Sequence, residues 1–210
     1  MSKKAETLDP RVRRTRKMLR AALIELIPEK GFDSITVKEI TERATLNRAT
    51  FYLHYRDKED LLKQGMREIL DDLTARSPIP ENVGDQFSYD ATLQTIAMDF
   101  EHVQQYADFY RVMLGENGIW HFIKELQEYI FEETKARLEL FRGDIVESPI
   151  EVDLVVHQLA AGYVGVIQWW LAHEMPFSPE EMATKLLAIY RDGTYRCLGY
   201  EVEEDIFRLA

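Results

Sequence analysis

The sequence contains few of the residues that several classes of protein depend on. One cysteine, Cys197, among 210 residues excludes an internal disulfide framework and a multi-cysteine metal site. Ten glycines and seven prolines are too few for a fibrous or disordered chain. No segment reaches 18 uncharged apolar residues, so we expect no membrane span, and the basic N-terminus lacks the apolar run of a signal peptide. These absences favour a globular, cytoplasmic protein in which Cys197 is a half-buried apolar residue.

Basic residues are also outnumbered, because 26 Lys and Arg stand against 37 Asp and Glu, for a net charge of −11. Their distribution along the chain is uneven. Residues 1–67 contain 16 basic and 10 acidic side chains, whereas residues 68–210 contain 10 basic and 27 acidic ones. A basic first third beside an acidic remainder predicts that only the N-terminal region binds a polyanion.

Apolar residues recur at helical spacing along the whole chain, and no stretch alternates long enough to form a sheet. The sequence therefore predicts an all-α fold. Asp9 and Pro10 are suited to begin the first helix, in which Pro28 should distort the last turn and Gly31 should follow as a stop. Further helices are expected near residues 58–76, 89–105, 107–114, 119–141, 150–174 and 179–199.

Two short helices joined by a tight turn follow the first helix. Thr36 and Glu39 form a capping box that opens one of them, and Asn47 can cap the next, which we expect to run to about Tyr55. Such a helix-turn-helix places its last helix in the DNA major groove. Arg48 is long enough to reach guanine acceptors there.

The strings ITVKEI at 35–40, LNRATFYLHY at 46–55 and DKEDLL at 57–62 resemble the DNA-binding domain of TetR-type transcriptional regulators. The likeness covers residues 11–62 without a gap. It implies an N-terminal helix-turn-helix domain of three helices over residues 1–57 and a connecting helix over 58–76. A linker at 77–88 then leads to a larger C-terminal helical domain for ligand binding and dimerisation at 89–210.

The resemblance also assigns roles in DNA binding by position. It implies that one group of residues contacts phosphates. It implies that a second group reads base edges or contacts a thymine methyl. The first group comprises Thr36, Thr50, Tyr52, His54, Lys58 and, in an N-terminal arm, Arg14; the second comprises Lys38, Arg48 and Ala49. One departure from the family pattern is Thr45, which stands where glycine is common.

The segments YRVMLGENG and GYVGVIQWWLAHEMPFSPEEMA resemble the regulatory domain of one TetR subgroup. A small-molecule pocket is common in that domain of the family, and its candidate lining residues here are Phe100, Tyr106, Phe109, Tyr110, Met113, Trp120, Phe122, Tyr163, Ile167 and Trp170. The last two long helices of TetR-type proteins usually form a dimer interface. We expect it to contain Val156, Ala160, Tyr163, Val164, Ile167, Leu186 and Tyr190.

Three functions are compatible with these features. The resemblance favours a homodimer that binds a pseudo-palindromic DNA operator, most simply a repressor released by a small-molecule effector of unknown identity. A module of the same fold that acts on a partner protein instead of DNA is the alternative. A helical enzyme is disfavoured, because no nucleophile–base pair, catalytic motif or cofactor motif is present. Two pairs at helical spacing, Asp99/His102 and Asp153/His157, are the only sequence features that suggest a metal site, and two ligands are a weak indication.

Overall fold

The computed structural model describes residues 9–76, 88–115, 120–140 and 150–199, and every regular element in those ranges is a helix. The all-α prediction is therefore confirmed. The chain divides into two compact units, residues 1–71 and residues 72–210, and each is described by itself below. The division falls inside the connecting helix. The predicted linker at 77–88 lies outside the described residues, except for Ser88.

The N-terminal unit consists of short helices packed on one long helix. Its elements in chain order are α1 (Pro10–Lys30), a 3-10 turn (Phe32–Ser34), α2 (Val37–Arg43), α3 (Arg48–Tyr52) and the first part of α4 (Lys58–Arg76). Apolar residues spaced three and four apart on these helices meet in one core, where they are shielded from water. Its fully buried members include Leu19, Leu23, Ile27, Ile40, Phe51, Leu61 and Ile69.

The first helix begins and ends where the sequence predicts. The Asp9 side chain accepts a hydrogen bond from the Arg11 N–H at 2.8 Å, and Pro10 occupies the first helical position. Pro28 does not end the helix, which continues for two more residues. A proline this close to the end removes a single intrahelical hydrogen bond. Gly31 then takes a positive φ of 75° and caps the helix.

The second and third helices also have the predicted caps. Thr36 and Glu39 form the reciprocal capping box of α2, and the Asn47 side chain accepts a hydrogen bond from the Thr50 N–H at 2.7 Å. The third helix is shorter than predicted, because it ends at Tyr52 and not near Tyr55. The aromatic pattern that suggested a longer helix continues through a turn.

The C-terminal unit contains the end of α4 and the remaining helices. They are α5 (Tyr89–Gln105), α6 (Ala107–Leu114), α7 (Trp120–Leu140), α8 (Val152–Ala172), α9 (Pro179–Asp192) and α10 (Thr194–Cys197). The main packing pairs are α5 with α9 and α7 with α8, while α6 packs against α7 and α8. This arrangement leaves α8 with one face in the core and one face on the surface.

Two predictions about the last helical segment are wrong. Gly193 takes a φ of 79° and ends α9, so residues 179–199 form two helices instead of one. The Gly193 N–H caps α9 by donating to the Ile189 carbonyl at 2.9 Å. Cys197, in the short α10, is exposed and not half-buried, because a helix of four residues presents little surface to the core.

By length and composition alone, α8 is apolar enough to cross a membrane. Part of its apolar surface is buried within the C-terminal unit, where Val156, Val164 and Trp170 are at most 1% exposed. Leu154, Val155 and Trp169 on its other face stay exposed, so burial accounts for only part of the hydropathy of α8.

Candidate nucleic-acid interface and regulatory core

The third helix is held in the core by buried aromatic rings and presents polar side chains to solvent. Phe51 is fully buried and Tyr55 is 3% exposed, and their rings lie 5.8 Å apart in the core of the N-terminal unit. Burial raises the pKa of Tyr55 to about 12. Arg48 and Tyr52 of the same helix are both exposed.

Arg48 and Tyr52 are neighbours one helical turn apart. The Arg48 guanidinium donates to the Tyr52 hydroxyl at 3.5 Å, and the Tyr52 ring packs edge-on against Phe51 with centroids 5.4 Å apart. Arg48 forms no ion pair with any of the described residues. Its charge is therefore available to an external acceptor, as a guanine-reading side chain requires. Ala49 is exposed beside it, and Thr50 is partly exposed.

The predicted contacts on α2 are exposed but already have local partners. Thr36 donates its hydroxyl proton to the Glu39 carboxylate at 2.7 Å, and Lys38 lies 3.7 Å from Glu42. Exposed pairs of this kind contribute about 0.2–1 kcal/mol. A phosphate or a base edge can compete with them at little cost.

Lys58 and His54 are more enclosed than a purely DNA-facing role requires. The Lys58 ammonium donates to the carbonyls of Phe32 and Asp33 at 2.9 and 2.8 Å and lies 4.8 Å from the Phe32 ring centre. Lys58 therefore ties α4 to the turn after α1. Partial burial, together with the charge of Arg16, lowers the pKa of His54 and favours its neutral form.

The basic residues of α1 fall into two groups. Arg14 is exposed, as are Arg11 and Arg13. Arg16 instead lies 3.4 Å from Glu68 and stacks over the Tyr55 ring at 5.8 Å. The outward-facing arginines fit the predicted N-terminal arm, whereas Arg16 supports the packing of α1 on α4.

The turn between α2 and α3 shows why glycine is common there in the family. Thr45 has a φ of 56°, in the left-handed region. A side chain with a branched Cβ is strained in this conformation by about 1–2 kcal/mol. The surrounding turn is nevertheless closed, because the Leu46 N–H donates to the Thr41 carbonyl at 2.8 Å.

The residues predicted to line an effector pocket come together in the C-terminal unit. Phe100 contacts Trp170 edge-on at 5.1 Å, and Phe109 contacts Phe122 in the same way at 5.2 Å. Tyr106 is partly exposed, and the side chain of Trp120 lies outside the described part of the chain. The others, each at most 8% exposed, are Phe100, Phe109, Tyr110, Met113, Phe122, Tyr163, Ile167 and Trp170. In this conformation they form packed core.

Polar groups among these rings are hydrogen-bonded to one another. The fully buried His102 lies 3.3 Å from the Tyr110 hydroxyl and 3.5 Å from the Asp72 carboxylate. Tyr106 donates to the same carboxylate at 3.2 Å. Tyr163 donates to Asp99 at 3.1 Å. Sequence patterns did not indicate Asp72 and suggested Asp99 only as half of a weak metal pair, because an aspartate on a helix resembles a surface residue.

The residues predicted for the dimer interface are mostly covered within the single chain. Tyr190 is only partly buried, but six predicted residues are at most 8% exposed within a single chain: Val156, Ala160, Tyr163, Val164, Ile167 and Leu186. Residues already covered by their own core have no surface left for a second copy. The exposed face of α8 instead carries Leu154, Val155, Gly162, Gly165 and Trp169.

Comparison with known proteins identifies both units. Residues 19–64 match the family model described as bacterial regulatory proteins, tetR family, and residues 90–192 match a model described as transcriptional regulator C-terminal region. The curated relative YxbF of Bacillus subtilis, an uncharacterised HTH-type transcriptional regulator, is 26% identical over 176 residues. These residues are 80% of this chain but 42% of YxbF, so the chain spans less than half of its curated relative.

Solved structures of regulators have the same fold. A putative TetR-family regulator from Syntrophomonas wolfei aligns with a TM-score of 0.64 at 18% identity, covering 85% of this chain and 94% of that one. FadR from Bacillus subtilis, solved in complex with stearoyl-CoA, aligns with a TM-score of 0.56 at 16% identity, covering 85% and 98%. With matches to both family models, this chain belongs to the TetR family of transcriptional regulators.

Proposed function

We propose that the protein is a dimeric, DNA-binding repressor that reads its operator with α3 and is released by a small molecule. The observation that carries the proposal is the presentation of Arg48, Ala49 and Tyr52 to solvent from one short helix. The buried Phe51 holds that helix in the core, so the three side chains have a fixed direction. We also propose a cytoplasmic location, where a DNA operator is accessible.

The proposed contacts divide into base readers and phosphate contacts. Arg48 and Lys38 are the base readers, and each specific base contact is worth about 1–3 kcal/mol of discrimination. Tyr52, Thr50 and the exposed arginines of α1 contact phosphates. Phosphate contacts supply affinity that falls steeply as the salt concentration rises.

One helix-turn-helix unit is too small for strong specificity, and a two-fold dimer doubles its footprint on a pseudo-palindrome. We place the dimer contact on the exposed face of α8, with Trp169 at 44% and Leu154 at 60% exposure as its apolar anchors. Gly162 and Gly165 on that face allow the two backbones to approach closely. Ile189 of α9, at 38% exposure, is a further exposed apolar residue of the same unit.

Release by an effector requires two conformations of the dimer. FadR, a protein of the same fold, was solved with stearoyl-CoA, which supports a ligand-responsive C-terminal unit here. A ligand shifts the equilibrium only by the difference in its affinity for the two forms, and a complete reversal requires about 5.5 kcal/mol. The packed aromatic core is the part that must rearrange.

The test is selection of DNA fragments from the protein's own genome, followed by fluorescence anisotropy on the selected sequence. We expect salt-dependent, sequence-selective binding by the wild type and a loss of at least about tenfold in Arg48→Ala and in Tyr52→Ala. Arg67→Ala, which removes an exposed arginine of α4, controls for net charge. If the wild type selects no fragment, the alternative applies, and the module acts on a partner protein.

A further inference from the structure

Asp99 of α5 has no role in the DNA interface. The surrounding protein desolvates its carboxyl group and raises its pKa to about 6, yet the residue keeps partial solvent exposure. The Tyr163 hydroxyl donates to it at 3.1 Å, which is the one hydrogen bond its side chain makes to the described residues. A carboxylate has about four acceptor positions, so most of its capacity is unused.

The charges that face Asp99 leave a local excess of one negative charge. From α7, Glu133 and Arg137 act on it, and Arg137 is itself 3.8 Å from Glu133. Three tyrosines, neutral at pH 7, also interact with it: Tyr110 of α6, Tyr129 of α7 and Tyr163 of α8. His102 lies one helical turn further along α5. Of the described charged groups that act on this site, one is a cation and two, counting Asp99 itself, are carboxylates.

Aromatic rings and a second unsatisfied polar group lie beside this carboxylate. Phe100 packs at 5.8 Å from Tyr163 and edge-on against Trp170. Tyr190 of α9 is close enough to act on Tyr163, and its hydroxyl is buried without a hydrogen-bond partner in the described part of the chain. Asp99, Phe100, Tyr163 and Tyr190 are together called the Asp99 cluster below.

We propose that the Asp99 cluster binds the positively charged head of the effector, an organic ammonium ion with one charge. The inference rests on the proposed ligand-responsive function. An ammonium group neutralises the excess carboxylate charge in surroundings of low dielectric constant, where charge pairing is stronger than in water. The rings of Phe100 and Tyr163 are covered by the core in this conformation, so the cation reaches their faces only after the rearrangement that release by an effector requires. An anionic head would be repelled by Asp99 and Glu133.

The test compares three small probes that share an aromatic ring and differ in charge. These are benzyltrimethylammonium, neutral benzyl alcohol and anionic phenylacetate, measured with the full-length protein by thermal shift and calorimetry. We expect stabilisation by the ammonium probe only, and at least tenfold weaker binding of it to Asp99→Asn. Asp90→Asn, an exposed aspartate at the start of the same helix, controls for the loss of one charge and should bind as the wild type does.

A second variant keeps the test decisive if Asp99→Asn fails to fold. The ammonium probe has no titratable proton, so its pH dependence belongs to the protein. Affinity should be constant above the pKa of Asp99 and fall as the pH decreases through about 6. In Tyr163→Phe that midpoint should move to higher pH, because the lost hydrogen bond no longer lowers the pKa of Asp99.

The outcomes separate this inference from the proposed function. Equal binding of ammonium and alcohol probes, undiminished binding to Asp99→Asn, or an unmoved midpoint in Tyr163→Phe would each overturn the cation site. If the wild type selects operator DNA but no ammonium probe binds, the site is refuted and the DNA-binding function stands. If Asp99-dependent ammonium binding occurs without DNA binding, the site is supported and the function as a repressor is refuted.

Discussion

The two units of this protein use their polar residues in opposite ways. The N-terminal unit holds a small apolar core and directs Arg48, Tyr52 and Lys38 outward from short, capped helices. The C-terminal unit encloses Asp99, His102 and several tyrosine hydroxyl groups among aromatic rings. The first unit therefore leaves its polar side chains available to an external partner. The second engages its polar groups in hydrogen bonds with one another inside a single unit.

The largest expected effect on stability comes from the buried ring that holds α3 in the core of the N-terminal unit. Phe51→Ala removes a fully buried ring and should destabilise the N-terminal unit by about 3–5 kcal/mol. Tyr52→Ala, one residue further along, removes a ring that is 52% exposed and should change stability by about 0.5 kcal/mol or less. Urea denaturation of both variants measures the difference. Similar losses in the two would contradict the assignment of inward and outward faces.

The two faces of α8 provide the next test. Ile167→Ala, on the buried face, should lower the free energy of unfolding by about 2–5 kcal/mol. Trp169→Ala, on the exposed face, should leave protomer stability nearly unchanged and weaken the proposed dimer about tenfold or more. Chemical denaturation and analytical ultracentrifugation separate the two effects. A wild-type dimer that Trp169→Ala leaves intact would mean that another surface forms the contact.

A smaller effect is expected at the turn before α3. Thr45→Gly should raise the free energy of unfolding by about 1 kcal/mol, because glycine has no Cβ to clash at a φ of 56°. Thr45→Ala keeps the Cβ but loses the branch, so its gain should be smaller. Thermal unfolding of the three proteins gives the order. A destabilised Thr45→Gly would show that the threonine side chain contributes more than the strain removes.

The smallest expected effect is a pH dependence at the capping box of α2. Hydrogen bonds from Lys30 and then Thr36 lower the pKa of Glu39 from 4.5 to about 2. A lowered pKa in the folded state stabilises the protein above about pH 4.5, and this contribution is lost as the pH falls toward 2. Glu39→Gln should therefore lose less stability than the wild type between pH 5 and pH 3 in urea titrations. Glu42→Gln on the same helix controls for the missing charge.

Local signals explain which predictions succeeded. Asp9, Thr36 and Asn47 each cap the helix that the sequence assigned to them, because a cap depends on a few neighbouring residues. The end of α3 was missed, since aromatic spacing continues into a turn that Leu53 begins.

Predictions that depended on contacts between distant segments were less accurate. The apolar residues of α8 were assigned to a second copy, whereas α6 and α7 of the same chain cover its buried face. Periodicity shows that a helix has an apolar face but not which element covers it. Asp99 was considered only as half of a weak metal pair, because its partner Tyr163 is 64 residues away.

The sequence by itself determined the helices, their caps, the basic N-terminal third and the residues that α3 exposes, because these follow from interactions within a few residues. The tertiary structure alone decided which face of α8 remains exposed, which rings surround Asp99 and how far Lys58 is enclosed. The physical reason is that burial and desolvation depend on atoms brought together by folding. A helix carries its pattern in its own residues, but the environment of each side chain is supplied by the rest of the chain.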